Sequence, residues 1–433
     1  MKQINIGLIG AGTVGSGLIE ILHSHRKQIL DRTGIDLNLV KICDTDTSRI
    51  PSYFKGEAVT DFKKITEDPK IQVVVELVGG TGIAYEIVKS ALSNGKAVVT
   101  ANKALLSEKG PELFQLAEEK KVEIGYEASV GGAIPVIRSI KTGLVANDFQ
   151  SIFGILNGTT NYILTKMEED NIGYADALKQ AQDLGFAEKD PTFDVEGIDA
   201  AHKLSILIGI AFNKKIKISD IHIEGISKLS EAEIHAAKLL GLRIKLLAVC
   251  KQVGDHLEAR VEPTMIPLTH PIASVRNEMN AIFFETSFSG PSMLLGKGAG
   301  SLPTASAIIS DLVFYGSRLN ELGEIKEKNL FEEGKLTPPG EIKARYYLRF
   351  KTVDRPGVLG ELTSIIGRNL VSISSMRQNE SNSEPVELII ITHEALEKDV
   401  RNSLMEIDKR SDIIKGKSIM IRRILSLKRE LMQ

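Results

Sequence analysis

A glycine pattern near the N-terminus restricts the fold more than any other feature of this chain. An apolar run at 4–9 leads directly into Gly10-Ala11-Gly12-Thr13-Val14-Gly15, and a helical pattern follows at 18–29. In such a strand–loop–helix unit the first glycine permits a tight turn and the second lets a pyrophosphate approach the backbone. The third lets helix and strand pack closely. The amides at the helix N-terminus favour negative charge. Strand-like runs recur at 38–43, 73–77, 97–100 and 123–126, with helical patterns at 84–93 and 108–120. This alternation predicts an α/β domain with a doubly wound parallel sheet of Rossmann type. Gly10, Gly12, Thr13, Val14 and Gly15 are then candidates for holding a dinucleotide; a glycine turn with only a structural role is the alternative.

The cofactor choice rests on the end of the second strand. A carboxylate at Asp44 would accept hydrogen bonds from a ribose and repel a 2′-phosphate, which argues for NAD. Arg49 nearby softens that repulsion, and Asp44 in Asp44-Thr45-Asp46-Thr47 also suits a turn cap. The expectation is therefore NAD(P), leaning to NAD. Lys103 lies at the carboxyl end of another strand, where open α/β sheets bind their ligands, so its ammonium is expected to face both nicotinamide and substrate. A plain surface lysine is the other reading.

With 433 residues the chain is long enough for two to four domains. A net charge of −2 gives no reason to expect nucleic acid. Glycines interrupt the N-terminal apolar run and no cleavage signal closes it, so it is not read as a signal peptide; no stretch is apolar enough to span a membrane. Cys43 and Cys250, far apart, suit a reducing compartment, and a cytoplasmic location is expected. Residues 1–135 are read as the NAD(P)-binding domain and 136–301 as an α+β catalytic, substrate-binding and dimerisation domain. A charged, Pro338-Pro339-Gly340-containing linker is expected at 321–343. Beyond it, 344–433 follow a strand–helix–strand–strand–helix–strand order, which is ferredoxin-like.

The stretch from Leu184 to Leu204 carries the most chemistry. Glu188, Asp190, Asp194 and Glu196 precede a helix whose continuation at 204–212 is apolar nearly all round, hence buried. Asp199 and Lys203, four apart, share a face of that helix. Buried charges are costly unless they pair or bind something charged; a purely structural ion pair is the competing reading.

Ala101-Asn102-Lys103-Ala104-Leu105, the segment from Gly154 to Leu164 containing Asn157-Gly158-Thr159-Thr160-Asn161, and Glu196 to Leu204 follow the glycine loop in this order. Together they resemble homoserine dehydrogenase, from the first strand to about residue 320. The resemblance implies that Lys203 transfers the proton, that Glu188 and Asp199 bind homoserine, and that Lys103 is a second active-site lysine, with Asp194 orienting Lys203 or a water. A lysine lowered in pKa by burial and cationic neighbours suits an alkoxide that must be protonated after hydride delivery. Gly185 and Gly300 are expected near the cofactor, with a segment at about 302–320 returning to the first domain. The resemblance also implies a sodium ion held by Glu127 and the carbonyls of Val130, Gly132 and Ile134, although these residues alone suggest a glycine turn. A homodimer or homotetramer is expected, and no kinase domain ahead of the first strand. Another amino-acid dehydrogenase on the same fold, or an inactive amino-acid sensor, are the rival readings. Neither explains the later motifs together with Lys103, Glu188, Asp199 and Lys203.

In the C-terminal part, Val353-Asp354-Arg355-Pro356-Gly357-Val358-Leu359 and the downstream Asn369 resemble an ACT domain, a module that binds amino acids, often between paired copies. Free amides at a helix N-terminus near Gly357 suit a carboxylate, Asp354 an ammonium and Asn369 a polar side chain. Threonine is the expected effector, and deletion of 344–433 is expected to leave an active enzyme deaf to it. A domain that only builds the oligomer is the alternative.

Overall fold

The computed structural model describes residues 2–318, 331–378 and 385–424. Its first sheet contains β1 (Lys2–Ile9), β2 (Ile35–Cys43), β3 (Glu57–Val59), β4 (Val73–Glu76), β5 (Ala97–Thr100) and β6 (Ile124–Gly125). Their order is β3-β2-β1-β4-β5-β6, all parallel. Helices α1 (Thr13–Thr33), α2 (Lys63–Thr66), α3 (Ile83–Ser93) and α4 (Lys103–Lys120) make the crossovers. Both faces of the sheet are covered, so strands such as Val73–Glu76 read as continuous apolar runs. The short strand β3 carried no periodic signal and was not expected.

The chain continues through α5 (Val136–Arg138), β7 (Phe149–Ile155), α6 (Gly158–Glu169), α7 (Tyr174–Asp183), α8 (Thr192–Val195), α9 (Ile198–Phe212), β8 (Lys214–Lys215) and β9 (His222–Ile223). Then come α10 (Glu231–Leu239), β10 (Leu242–Val253), β11 (His256–Pro267), β12 (Met279–Thr286) and β13 (Gly290–Lys297). Helix α11 (Ser301–Arg318) returns to the first domain: Ala305, Ile308 and Leu312 share a core with Ile4, Leu18 and Ile19. Of the expected return segment, 319 and 320 lie outside the described residues. So do 321–330 of the expected linker.

The described remainder of that linker is docked. Strand β14 (Glu332–Glu333) pairs with β8, and Leu257 exchanges backbone bonds with Lys335 and Thr337. The C-terminal elements are β15 (Lys343–Thr352), α12 (Val358–Arg368), β16 (Ile373–Gln378), β17 (Val386–Thr392), β18 (Ala395–Leu396), α13 (Glu397–Asp408) and β19 (Ile419–Arg423), with 425–433 outside the described residues. Strand β19 pairs with both β15 and β11, which joins the last two domains into one sheet ordered β13-β12-β7-β10-β11-β19-β15-β17-β16.

Candidate active site

The glycine loop has the geometry of a phosphate cradle. A Cβ at Gly10 would lie 2.8 Å from the Leu77 carbonyl, and one at Gly15 would lie 2.1 Å from the Gly10 oxygen. Packing inside the protein therefore accounts for these two glycines. Gly12 differs: a Cβ there would meet nothing within 4 Å, so its surface is open to a ligand at the start of α1. Ser301 Oγ donates to the Thr13 carbonyl at 2.6 Å, which brings Gly300 and the start of α11 beside Thr13 and Val14. Next to the loop is a cavity of about 260 Å³ lined in part by Gly12, Asp44, Thr45, Arg49 and Thr60. Asp44 is buried, its carboxylate accepting from the amides of Ala11 (2.7 Å) and Asp46 (2.9 Å). It thus holds the loop in shape while facing the cavity.

At the carboxyl end of β5, Asn102 caps α4 by accepting from Leu105 N. This sets Lys103 in the first turn, where a cation opposes the helix dipole. Its ammonium is held by Asp199 Oδ1 at 2.9 Å, and the side chain stays partly open. Asp199 Oδ2 accepts from Lys203 Nζ at 2.7 Å and from Asn157 Nδ2 at 2.9 Å. Lys203 also donates to the Leu156 carbonyl at 2.7 Å, leaving one of its three N–H bonds uncommitted. Burial opposes ionisation of Asp199, but the charges of Lys203 and Lys103 win and hold its carboxyl well below the usual range. Asp194 behaves oppositely. Burial and the neighbouring Asp199 charge raise it, against hydrogen bonds from Asn157 (2.7 Å) and Thr159 (3.2 Å).

The remaining expected residues are not all drawn into this network. Glu188 is exposed on the loop before α8, its backbone carbonyl accepting from Gln182 at 3.0 Å. Gly185, at φ +75°, follows the end of α7 and precedes Phe186, whose carbonyl takes the Thr159 hydroxyl. Glu127 is buried, accepting from the amides of Ile137 (2.7 Å) and Arg138 (2.9 Å), and burial pushes its carboxyl up. Among the described residues no three His, Cys, Asp or Glu side chains cluster to hold a metal ion. A cation near Val130, Gly132 and Ile134 would depend on carbonyl oxygens and one carboxylate, the ligands of a hard ion.

Residues 10–127 match the family model described as "Homoserine dehydrogenase, NAD binding domain", and residues 135–313 the model described as "Homoserine dehydrogenase". Over 416 residues the chain is 40% identical to the homoserine dehydrogenase of Neisseria gonorrhoeae, covering 94% of this chain and 96% of that one. The chain belongs to the homoserine dehydrogenase family. The crystal structure of a homoserine dehydrogenase from Thiobacillus denitrificans matches with a TM-score of 0.91 at 38% identity, covering 98% of this chain and 99% of that one. A hyperthermophilic archaeal homoserine dehydrogenase, solved in complex with NADPH, matches with a TM-score of 0.62 at 27% identity over 73% and 98% of the two chains. As a homoserine dehydrogenase the chain is an NAD(P)-dependent oxidoreductase. No helix among the described residues is long and apolar enough to cross a membrane.

Residues 346–412 match the ACT domain, a module for amino-acid effectors. Gly357, at φ +95°, caps α12, and Asp354 is exposed just before it. Asn369 ends the same helix, donating to Ile365 O and Glu406 Oε2. Eleven helical residues lie between, roughly 16 Å, so the structure does not bring Asn369 to Asp354 within one chain. Sequence reasoning missed the bridging roles of Asn157 and Thr159, and also His202, whose Nδ1 shares a hydrogen bond with Ser107 Oγ at 2.8 Å. The available signal was Asn157 as an N-cap, three residues before Thr160.

Proposed function

We propose that this homoserine dehydrogenase interconverts L-homoserine and L-aspartate 4-semialdehyde, with Lys203 moving the proton at the substrate's C4 oxygen. The observation that carries this reading is the Lys103–Asp199–Lys203 chain at the mouth of the parallel sheet. The nicotinamide, when bound, supplies or accepts the hydride. The free N–H of Lys203 hydrogen-bonds the oxygen on which negative charge develops and gives it a proton; in the reverse direction the neutral amine takes that proton back. Lys103, the more open ammonium, neutralises the same oxygen electrostatically. Asp199 already accepts three hydrogen bonds, so about one acceptor site remains for the substrate ammonium, and Glu188 takes the larger share. Asp194 fixes Asn157 and, through it, Asp199. Gly12, Thr13, Val14 and Gly300 hold the pyrophosphate, with Gly10 and Gly15 keeping the loop in the shape that binds it, Asp44 favouring NAD and Gly185 shaping the rim.

The segments 1–135, 136–301 and 344–433 act as cofactor, catalytic and effector domains. Threonine is the effector, through Asp354, Gly357 and Asn369 contributed by paired copies in a homodimer or homotetramer. Sodium occupies the Glu127 loop; replacing it with tetramethylammonium is expected to lower the unfolding temperature. Initial rates of homoserine-dependent reduction of NAD and NADP, side by side, test the main reading. No turnover with either sinks it, and a threonine-insensitive rate together with no calorimetric threonine binding sinks the effector assignment.

A further inference from the structure

Between the catalytic and C-terminal domains is a cleft of about 400 Å³, within the usual size of small-molecule sites. Its floor is satisfied internally. Arg422 of β19 donates to Glu262 and Glu397 and, at 3.2 Å, to the Tyr346 hydroxyl. Among the described residues the rim carries solvated charges with no protein partner: the side chains of Glu224, Lys228 and Lys417 bond nothing, and all three line the cleft. Arg401 spends its Nε on Glu397 at 2.6 Å, and Asp408 spends one oxygen on Ser418. Three cations and two carboxylates with bonding capacity left thus face one space. An apolar wall that includes Met405, 57% exposed, closes it.

The loop that lines this cleft also braces the catalytic helix. Glu224 N donates to Val261 O at 2.8 Å, and Ile226 N to Val195 O at 2.8 Å. A Cβ on Gly225 would stand 2.4 Å from the Val195 oxygen and 2.5 Å from Glu196 Cα, so loop and helix start are in direct backbone contact. Val195 and Glu196 lie between Asp194 and Asp199. A displacement of 224–226 would therefore press on the segment that carries both carboxylates, since close-packed backbone transmits strain.

We propose that the cleft binds a free α-amino acid with an aliphatic side chain and reports it to the active site through residues 224–226. Glu224 and Asp408 suit the ammonium, Lys228, Lys417 and Arg401 the carboxylate, and Met405 the side chain. This goes beyond the threonine assignment, since the cleft shares no residue with Asp354, Gly357 or Asn369. A patch that merely attracted anions would lack the two carboxylates.

Calorimetry on the full chain with L-isoleucine, L-methionine and inorganic phosphate tests it, with no turnover required. At least one amino acid is expected to bind, and the exposed double substitution Lys228→Glu/Lys417→Glu to weaken that binding about tenfold or more. Asp354→Ala is expected to leave it intact. In the unmodified protein the bound amino acid should slow amide exchange at 224–229 and 401–408, a readout that survives if the double variant misfolds. The proposal is overturned if no amino acid binds, if charge reversal changes nothing, or if phosphate binds as well as the amino acids. Binding lost only in Asp354→Ala overturns it too, and so does exchange that slows only near 354–369.

Discussion

Asp199 accepts from three side chains, and the behaviour of its neighbours follows from its charge. Lys203→Ala removes the group proposed to move the proton, so kcat should fall by ~10²–10⁴-fold while the cofactor dissociation constant stays close to that of the parent protein. Near-normal turnover would refute the role. Glu188 is exposed and outside the network, so Glu188→Gln should raise KM for homoserine and change kcat little; a KM equal to wild type would remove Glu188 from the substrate site. Lys245 is fully buried, donating to Asn161 Oδ1, one helical turn beyond Asn157, and to the Val275 carbonyl, and burial pushes its ammonium down to about 7. At this site the unfolded chain then binds more protons than the folded one between about pH 7 and an unfolded value of ~10.4, so the contribution of Lys245 to stability rises with pH across that window. The buried thiols of Cys43 and Cys250, pushed up by burial, act in the opposite sense at the alkaline end, so the difference between variants carries the test. Wild-type denaturant midpoints measured from pH 7 to 10 should gain on those of Lys245→Gln as pH rises, and parallel profiles would show that Lys245 is not a source. The i, i+4 spacing of Asp199 and Lys203 was visible in the sequence because it is local. Lys103, Asn157 and Asp194 meet them only through tertiary packing, which no periodicity encodes.

At the scale of elements, one glycine fixes how the catalytic helix starts. Gly197 starts α9 at φ +82°, and a Cβ there would come within 3.1 Å of Val261 and 3.3 Å of Ile223. Gly197→Ala is expected to destabilise the protein by ~1–3 kcal/mol and to lower kcat with it, since α9 carries Asp199 and Lys203. A chemical denaturation midpoint equal to wild type would contradict this. The parallel sheet and its helices were legible because runs such as Ala97–Thr100 are unbroken and apolar, and the expected 97–100 coincides with β5. Helix α6 and strands β7, β11 and β13 were not assigned. β13 is an edge strand with little buried surface, so it shows weak alternation, while α6 buries Thr159, Thr160, Asn161 and Thr165 beside its apolar residues, so hydropathy sets no clear period. Asn369 was grouped with Asp354 by analogy, and only the length of α12 reveals their separation.

The two rear domains share one sheet, and that bears on what truncation does. Tyr347, Ile389, Ile391 and Ile421 of the C-terminal part belong to the same core as Ile234 and Met265 of the catalytic part. Arg349 of β15, almost fully buried, donates its Nε at 2.6 Å to Glu233 of α10, a carboxylate that is 1% exposed and also caps its own helix at Ser230. Deleting 344–433 strips this apolar face, turns β11 into an open edge and leaves Glu233 without its arginine. The truncated chain is therefore expected to aggregate or melt well below the full protein, instead of surviving as the active, effector-insensitive enzyme that the domain order alone suggests. The ionic part of that cost can be separated from the rest. Arg349→Met alone should destabilise by ~3–5 kcal/mol, because it leaves a buried carboxylate unpaired. Adding Glu233→Gln removes the stranded charge and keeps a side chain that still caps α10, so the double variant should recover most of the lost stability. Thermal midpoints of the two single variants and the double one decide the matter: losses that simply add would mean that the pair does not hold the domains together.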